Sequence, residues 1–531
     1  MQTDLPQPRA PRLWAPPLIV FISSACIMVL ELVAGRMVAP YVGVSLYTWT
    51  SIIGVILAGI SLGNYIGGKL ADRWASTRLL SLLFLLAGLT SFGVLFVDSL
   101  GAAVPNSWPM VVRIIGLVAA VFVIPAVILG TISPVVTKLA VRDLASTGST
   151  VGRISAAGTA GSILGTFATG FVLISWFGTH TIVWGVAVVL LLMALGFFVA
   201  GTATRRRAVA AVLGIAVIGG TSAVAISEGW TKSRCSLETN YFCINVREDE
   251  RDGSPVRILI LDRLVHSYND LNDPTKLVYG YEKVYAEATR YQYLQNPDMS
   301  ALFIGGGGYT FPRYMEAVYP DSALDVIEID PGVTETAYQL LGLNRDTAIR
   351  SFNEDARMFL EREPDRQYRL IMGDAFNDYS VPYHLTTREF NERVKMWLSD
   401  DGLYMVNLID GPRRDFLRAY VHTLRETFAR VYVVPAVRTW RESPRVTFVL
   451  LATQQPLDLE QFNGIDAGDD DTMIAKMILA PETLDAIIAE GRLVMLTDSY
   501  APVDQMLAPV ARGEEVRPDA PQPPRAGTKA E

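Results

Sequence analysis

Ile304-Gly305-Gly306-Gly307-Gly308, followed about 20 residues later by Val326-Ile327-Glu328-Ile329-Asp330, decides the fold of the C-terminal half. Each segment holds a short apolar run that reads as a buried strand. The glycines let the backbone turn sharply and approach a ligand, and the helix after them offers unpaired N–H groups. Outward from this pair, strands are expected at 301–304, 323–329, 348–352, 369–373, 403–408, 430–434 and 445–452, with helices at 309–318 and 331–341. Strands alternating with helices imply a doubly wound parallel sheet of Rossmann-like type. Ahead of it, residues 235–262 alternate as a small antiparallel sheet, and 279–294 carries aromatics at helical spacing.

Ligands of such sheets bind at the carboxyl ends of the strands. Glu328 stands where an acid accepts hydrogen bonds from ribose hydroxyls. A glycine turn alone is often only a turn; with the acid at this distance the pair is far more specific. Glu354-Asp355-Ala356, after the third strand, is placed to read an adenine amino group. The turn runs into Tyr309-Thr310-Phe311-Pro312, whose bulk crowds a diphosphate. An adenosyl sulfonium, which carries no phosphate, fits better. Asp374, at the end of the fourth strand, is where a reacting group is expected.

The other half of the 531-residue chain is apolar. Stretches at 18–38, 49–68, 79–96, 111–129, 157–177, 181–200 and 209–225 are each near the length of about 20 residues that spans a bilayer. Glycines at spacings near four, such as Gly59, Gly63 and Gly67 or Gly161 and Gly165, suit close helix packing. The first stretch is too long for a cleavable signal and carries Glu31 and Arg36, which are expected to pair or to line a polar cavity. Basic residues fall in alternate connections: Arg9 and Arg12; Lys69, Arg73 and Arg78; Lys138, Arg142 and Arg153; Arg205, Arg206 and Arg207. The connections between these have almost none. The bias puts the N-terminus in the cytoplasm and, after an odd number of crossings, the soluble half outside a cell (inner) membrane. Cys235 and Cys243 flank the segment that follows the last crossing. A bridge would suit an oxidising compartment; two reduced thiols are the alternative, and spacing leaves both open. The expected organisation is a disordered start (1–16), a bundle of about seven helices (17–228), a small sheet with a helix (231–295), a Rossmann-like domain (296–511) and a disordered tail (512–531).

The segment from Glu238 to Leu451 resembles the spermidine synthases, the polyamine aminopropyltransferases, whose catalytic domain is of class I methyltransferase type. The likeness rests on the glycine turn, on 326–330, on the run from Asp374 to Phe390, and on Glu238-Thr239-Asn240-Tyr241 and Ile260-Leu261-Asp262. The full chain resembles the membrane-fused branch, through Glu31-Leu32-Val33-Ala34-Gly35-Arg36, Gly67-Gly68-Lys69-Leu70-Ala71-Asp72-Arg73 and Leu496-Thr497-Asp498-Ser499-Tyr500-Ala501-Pro502-Val503-Asp504. The resemblance implies that Gly305, Gly306, Gly307, Glu328, Asp355 and Ala356 hold the adenosyl donor, that Asp374 is the general base, and that Tyr281, Glu282, His266, Asn377 and Pro382 lie at the amine. It implies decarboxylated S-adenosylmethionine as co-substrate, no tightly bound cofactor, and a diamine such as putrescine as acceptor, giving spermidine and methylthioadenosine.

The chain departs from that pattern where the amine ends bind. The family's aspartate after the glycines is here Gly308, and its second aspartate after the base is here Asn377. The nucleoside half of the site is kept and the amine half is rebuilt. The alternatives are a related adenosyl-sulfonium-dependent transferase with another amine or donor, and a non-catalytic polyamine- or nucleoside-binding membrane protein. Tyr383, His384 and Arg388 are further candidates, against a bland reading of His384 as a cap. The 4 histidines are scattered without ligand spacing, so no metal is expected. A net charge of −8 without a basic-aromatic stripe argues against nucleic acid. The expected partners are the lipid bilayer, the adenosyl donor, a diamine and a second copy in a homodimer.

Overall fold

Gly63 and Gly161 explain how the N-terminal helices meet. A β-carbon on Gly63 would stand 2.2 Å from the Val127 carbonyl oxygen, and one on Gly161 would stand 2.1 Å from that of Phe21. Backbones touch at these points, so Leu46–Trp74 packs along Met110–Ala140, and Pro16–Val42 along Thr147–Ala168. The computed structural model describes residues 16–105, 108–141, 144–202, 204–251, 253–375, 381–465 and 473–511. Arg9, Arg12, Arg142, Asn377 and the tail beyond 511 lie outside these residues.

The chain divides into two compact units, Met1–Cys243 and Ile244–Glu531. Among the described residues, the first contains seven helices long and apolar enough to cross a membrane. Its connections sort to two ends. At one, the Tyr41 hydroxyl donates to Asp98 (2.7 Å), and His180 and Arg234 approach the same carboxylate at 3.4 and 3.5 Å. At the other, Lys138 bridges to Asp72 (2.9 Å). Charge-poor connections thus share an end with the chain that follows the last long helix. Arg36 donates to the carbonyls of Thr239 and Asn240, so it is engaged outside the helix. The Glu31 Oε2 atom is buried with no hydrogen-bond partner among the described residues. Glu238, in the short strand β1 (Leu237–Glu238), accepts from the Thr179 amide and hydroxyl at 2.7 and 2.9 Å. A disulfide joins Cys235 to Cys243 and closes this segment on itself.

The second unit opens with an antiparallel meander of β2 (Cys243–Arg251), β3 (Ser254–Leu261) and β4 (Leu264–Asp270). The helix Gly280–Gln295 leads into the large sheet. Its strands are β5 (Ser300–Ile304), β6 (Ala323–Ile327), β7 (Arg350–Phe352), β8 (Tyr368–Gly373), β9 (Leu398–Asp410), β10 (Arg430–Pro435) and β11 (Val446–Thr453), in the order β10-β11-β9-β8-β5-β6-β7. The sheet is mixed, which corrects the expectation of a parallel one. β11 runs antiparallel to both β9 and β10. Only residues 436–445 join β10 to β11, fewer than the dozen or so that a parallel crossover needs. Burial of Ile304, Ile327, Phe359, Trp397 and Phe448 marks the core. Register then fixes the site. Ile304 pairs with Ile327 and with Gly373, and Ile327 pairs with Phe352. The carboxyl ends of these strands therefore form one row.

Candidate active site

Gly305, Glu328, Asp355 and Asp374 all follow that row. Gly305 has φ +97°, and a β-carbon there would lie 2.7 Å from the Asp374 carbonyl oxygen. Only glycine meets both demands. Gly306 and Gly307 donate their amides to Glu328 Oε2 at 2.8 and 3.1 Å, and Asp330 donates to Oε1 at 3.0 Å. Glu328 is thus the brace of the glycine turn. Burial raises its pKa, although these amide bonds pull the other way. A carboxylate has about four lone-pair sites, which leaves capacity for a further donor.

Tyr309 ends the turn with φ +56° and is not part of the helix Thr310–Val318. Its ring is fully buried, and its hydroxyl reaches Ser351 (3.0 Å) and Thr334 (3.2 Å), which secures this uncommon backbone.

Asp374 is reached from two elements. Asn407 in β9 donates to its Oδ1 at 2.7 Å, and the Tyr281 hydroxyl also bonds it. Burial lifts its pKa to about 6, against the pull of these two bonds. A cavity opens beside it, lined by His266, Tyr281, Glu282, Tyr285, the four glycines and Asp374. Burial lifts the Glu282 pKa to about 8, while its carboxylate accepts the Tyr279 amide (3.1 Å) at the start of Gly280–Gln295. Burial, with the positive charge of Arg445 behind it, lowers His266 to about 4. Its Nε2 has no partner among the described residues.

The corner at Gly308 is closed and uncharged. Asn269 donates to the Gly308 carbonyl (2.7 Å) and accepts from Ser267 (2.7 Å). A β-carbon on Gly308 would fall 1.9 Å from Ser267 Oγ.

The structure gathers Asp374, Gly305, Gly306, Gly307, Tyr281, Glu282 and His266 around one cavity. Glu328 stands behind its glycine wall. Asp355 and Ala356 lie further along the row: Asp355 caps the helix Ala356–Leu360 through the amides of Arg357 (2.8 Å) and Met358 (3.2 Å), and meets His384 Nε2 at 3.2 Å. Pro382 precedes the turn Tyr383–Leu385. Tyr383 and Arg388 are exposed and away from the cavity. An apolar hollow lies next to Gly373 and Ala375, lined also by Ile304, Val381, Leu385 and Phe390. Sequence reasoning missed Asn407, whose signal was a lone amide in an apolar strand. It also missed Ser267 and Asn269, whose neighbours are set by a contact 39 residues distant.

No family model matches the chain. A polyamine aminopropyltransferase of Vibrio vulnificus (strain CMCP6) is 36% identical over 108 residues, which are 20% of this chain and 36% of that protein. The matched part thus spans about a third of this relative's length. A polyamine aminopropyltransferase of Corynebacterium efficiens is 26% identical over 416 residues, covering 73% of this chain and 75% of that protein. That match is longer than the second unit, residues 244–531, so it extends into the helical one. The chain is thus similar to polyamine aminopropyltransferases, the spermidine synthase family. The 108 residues matched to the Vibrio vulnificus protein are a fifth of the chain, whereas the likeness to the Corynebacterium efficiens protein takes in part of the apolar N-terminal half. Among solved structures, a probable spermidine synthase of Corynebacterium glutamicum aligns with TM-score 0.43 and 20% identity, over 48% of this chain and 93% of that one.

Proposed function

We propose that this protein is an integral membrane aminopropyltransferase, using decarboxylated S-adenosylmethionine and a diamine such as putrescine. The observation that carries this reading is Asp374, buried at a strand end with two hydrogen-bond donors and facing a cavity that also holds Glu282 and Tyr281. The acceptor's neutral amine nitrogen attacks the propyl carbon bonded to sulfur. The C–N bond forms, the C–S bond breaks with its electrons on sulfur, and neutral methylthioadenosine leaves. The nitrogen's surplus proton passes to the Asp374 carboxylate. Glu328 and the glycine turn take the ribose, and Asp355 with Ala356 the adenine. The neutral corner at Gly308 favours a second reading, in which the same chemistry uses a donor or amine whose far end needs no acid there.

The first unit is read as the membrane anchor, with the N-terminus cytoplasmic and the catalytic unit outside. Loop charge and the Cys235–Cys243 bridge support this side. The test of the activity is Asp374→Asn in the full-length protein. Turnover is expected to fall by about 10²- to 10⁴-fold. Methylthioadenosine should still raise the melting temperature. Full turnover by the variant would remove Asp374 from the chemistry.

A further inference from the structure

The run from Leu496 to Asp504 has no part in the reaction above, yet the structure ties it to the nucleoside edge. Arg357 donates to Asp498 through both terminal nitrogens, at 2.9 and 2.7 Å. The Thr387 hydroxyl donates to the same carboxylate at 2.7 Å, and the Asp498 amide donates to Glu389 at 3.0 Å. Arg357 further donates to the His384 carbonyl (3.1 Å) and to Thr387 Oγ1 (3.2 Å). One guanidinium thus gathers three segments remote in sequence: the helix start after Asp355, the turn 384–387, and Asp498.

The turn bearing Asp498 is itself fixed. Leu496 is fully buried, donates to Thr423 Oγ1 (3.0 Å), and accepts from the Arg388 amide (2.9 Å). Thr497 and Tyr500 exchange main-chain hydrogen bonds at 3.0 Å across it. An exposed ion pair contributes little by itself. Here the pair is bidentate, the arginine is largely buried, and three further acceptors share it, which gives it a defined geometry.

The geometry matters because of what lies on either side. Asp355 and Ala356 start the helix that carries Arg357. Val381, Leu385 and Thr386 line the apolar hollow next to Ala375, one residue past Asp374. We propose that Asp498 is a positioning residue: acting through Arg357 and Thr387, it sets the spacing between the Asp355–Ala356 corner and the wall 381–387, and so determines how tightly the adenosyl group of the donor is held. This rests on the transferase reading.

The test uses full-length protein in detergent or nanodiscs. Methylthioadenosine affinity is measured by calorimetry, and KM is measured separately for donor and amine. Asp498→Ala is expected to weaken methylthioadenosine by about tenfold and to raise the donor KM in parallel, the scale of a lost charged hydrogen bond. The amine KM and kcat should stay within about twofold. Asp498→Glu should recover most of the affinity. Arg357→Lys, which keeps the charge and loses the fork, should reproduce the defect and serves if Asp498→Ala does not fold. Unchanged nucleoside affinity with only a lower melting temperature would overturn the positioning role, as would an equal rise of both KM values. If the wild type binds methylthioadenosine and the variants bind it equally, this proposal alone fails. If the wild type binds none, the transferase reading fails with it.

Discussion

Asp374 and Glu282 face one cavity, and burial raises both carboxyls by different amounts. At neutral pH a carboxyl lifted to about 6 is mostly ionised and can take a proton, whereas one lifted to about 8 is mostly protonated. If Asp374 is the base proposed above, the kcat/KM limb should rise through about pH 6, because the proposed step needs its carboxylate and is lost as it is protonated. Asn407 donates to that carboxylate and holds its pKa down, so Asn407→Ala should move the limb to higher pH. A limb that does not move in the variant would mean another group controls the rate. Glu282 gives an equilibrium counterpart. An ammonium group entering the cavity favours the ionised carboxyl, so amine binding near pH 7 should release a proton. Calorimetry in buffers of different ionisation enthalpy reads that proton directly, and a buffer-independent enthalpy would exclude it.

At the scale of elements, the glycine turn and the acid after β6 were legible because both depend on local sequence. A short apolar run, glycines and an acid at fixed separation need no knowledge of the rest of the chain. The row of strand ends at Ile304, Ile327, Phe352 and Gly373 followed from the same pattern. The antiparallel β10–β11 edge was present too, in the short 436–445 link, but alternation alone does not weigh link length. What the sequence could not carry was contact between remote segments. The left-handed Tyr309 looks like the first residue of a helix until Ser351 and Thr334 are brought to its hydroxyl. Gly308 looks like a lost acid until Ser267 and Asn269 are seen filling its place. That packing makes a prediction at this scale. Gly308→Asp should not restore an amine-binding acid, because its β-carbon collides with Ser267 Oγ on β4. Overpacking of this kind costs about 1–3 kcal/mol. A lower melting temperature without a lower amine KM is the expected result. A tighter amine KM at unchanged stability would show that the corner yields.

At the scale of the whole molecule, the membrane side proposed for the second unit rests on counting and on redox chemistry, which are independent. Seven crossings by the long apolar helices among the described residues, with basic connections at one end, would place residues after the last helix opposite the N-terminus. The Cys235–Cys243 bridge sits in that chain, and disulfides persist outside the reducing cytoplasm. A reporter active only outside the cytoplasm, fused at Thr231, should therefore be active, and one active only inside should be silent. The bridge offers a second reading of the same side. Protein taken from cells under thiol-blocking conditions should show Cys235 and Cys243 protected from alkylation until a reductant is added. Opening so short a loop in the chain-entropy account should cost about 2–3 kcal/mol, so Cys243→Ser should lower the melting temperature by a few degrees. The two measurements constrain each other. A cytoplasmic reporter active at Thr231 together with free thiols would reverse the orientation, because one lost crossing would exchange both the compartment and its redox state. An outside reporter with free thiols would leave the crossing count intact and remove only the bridge.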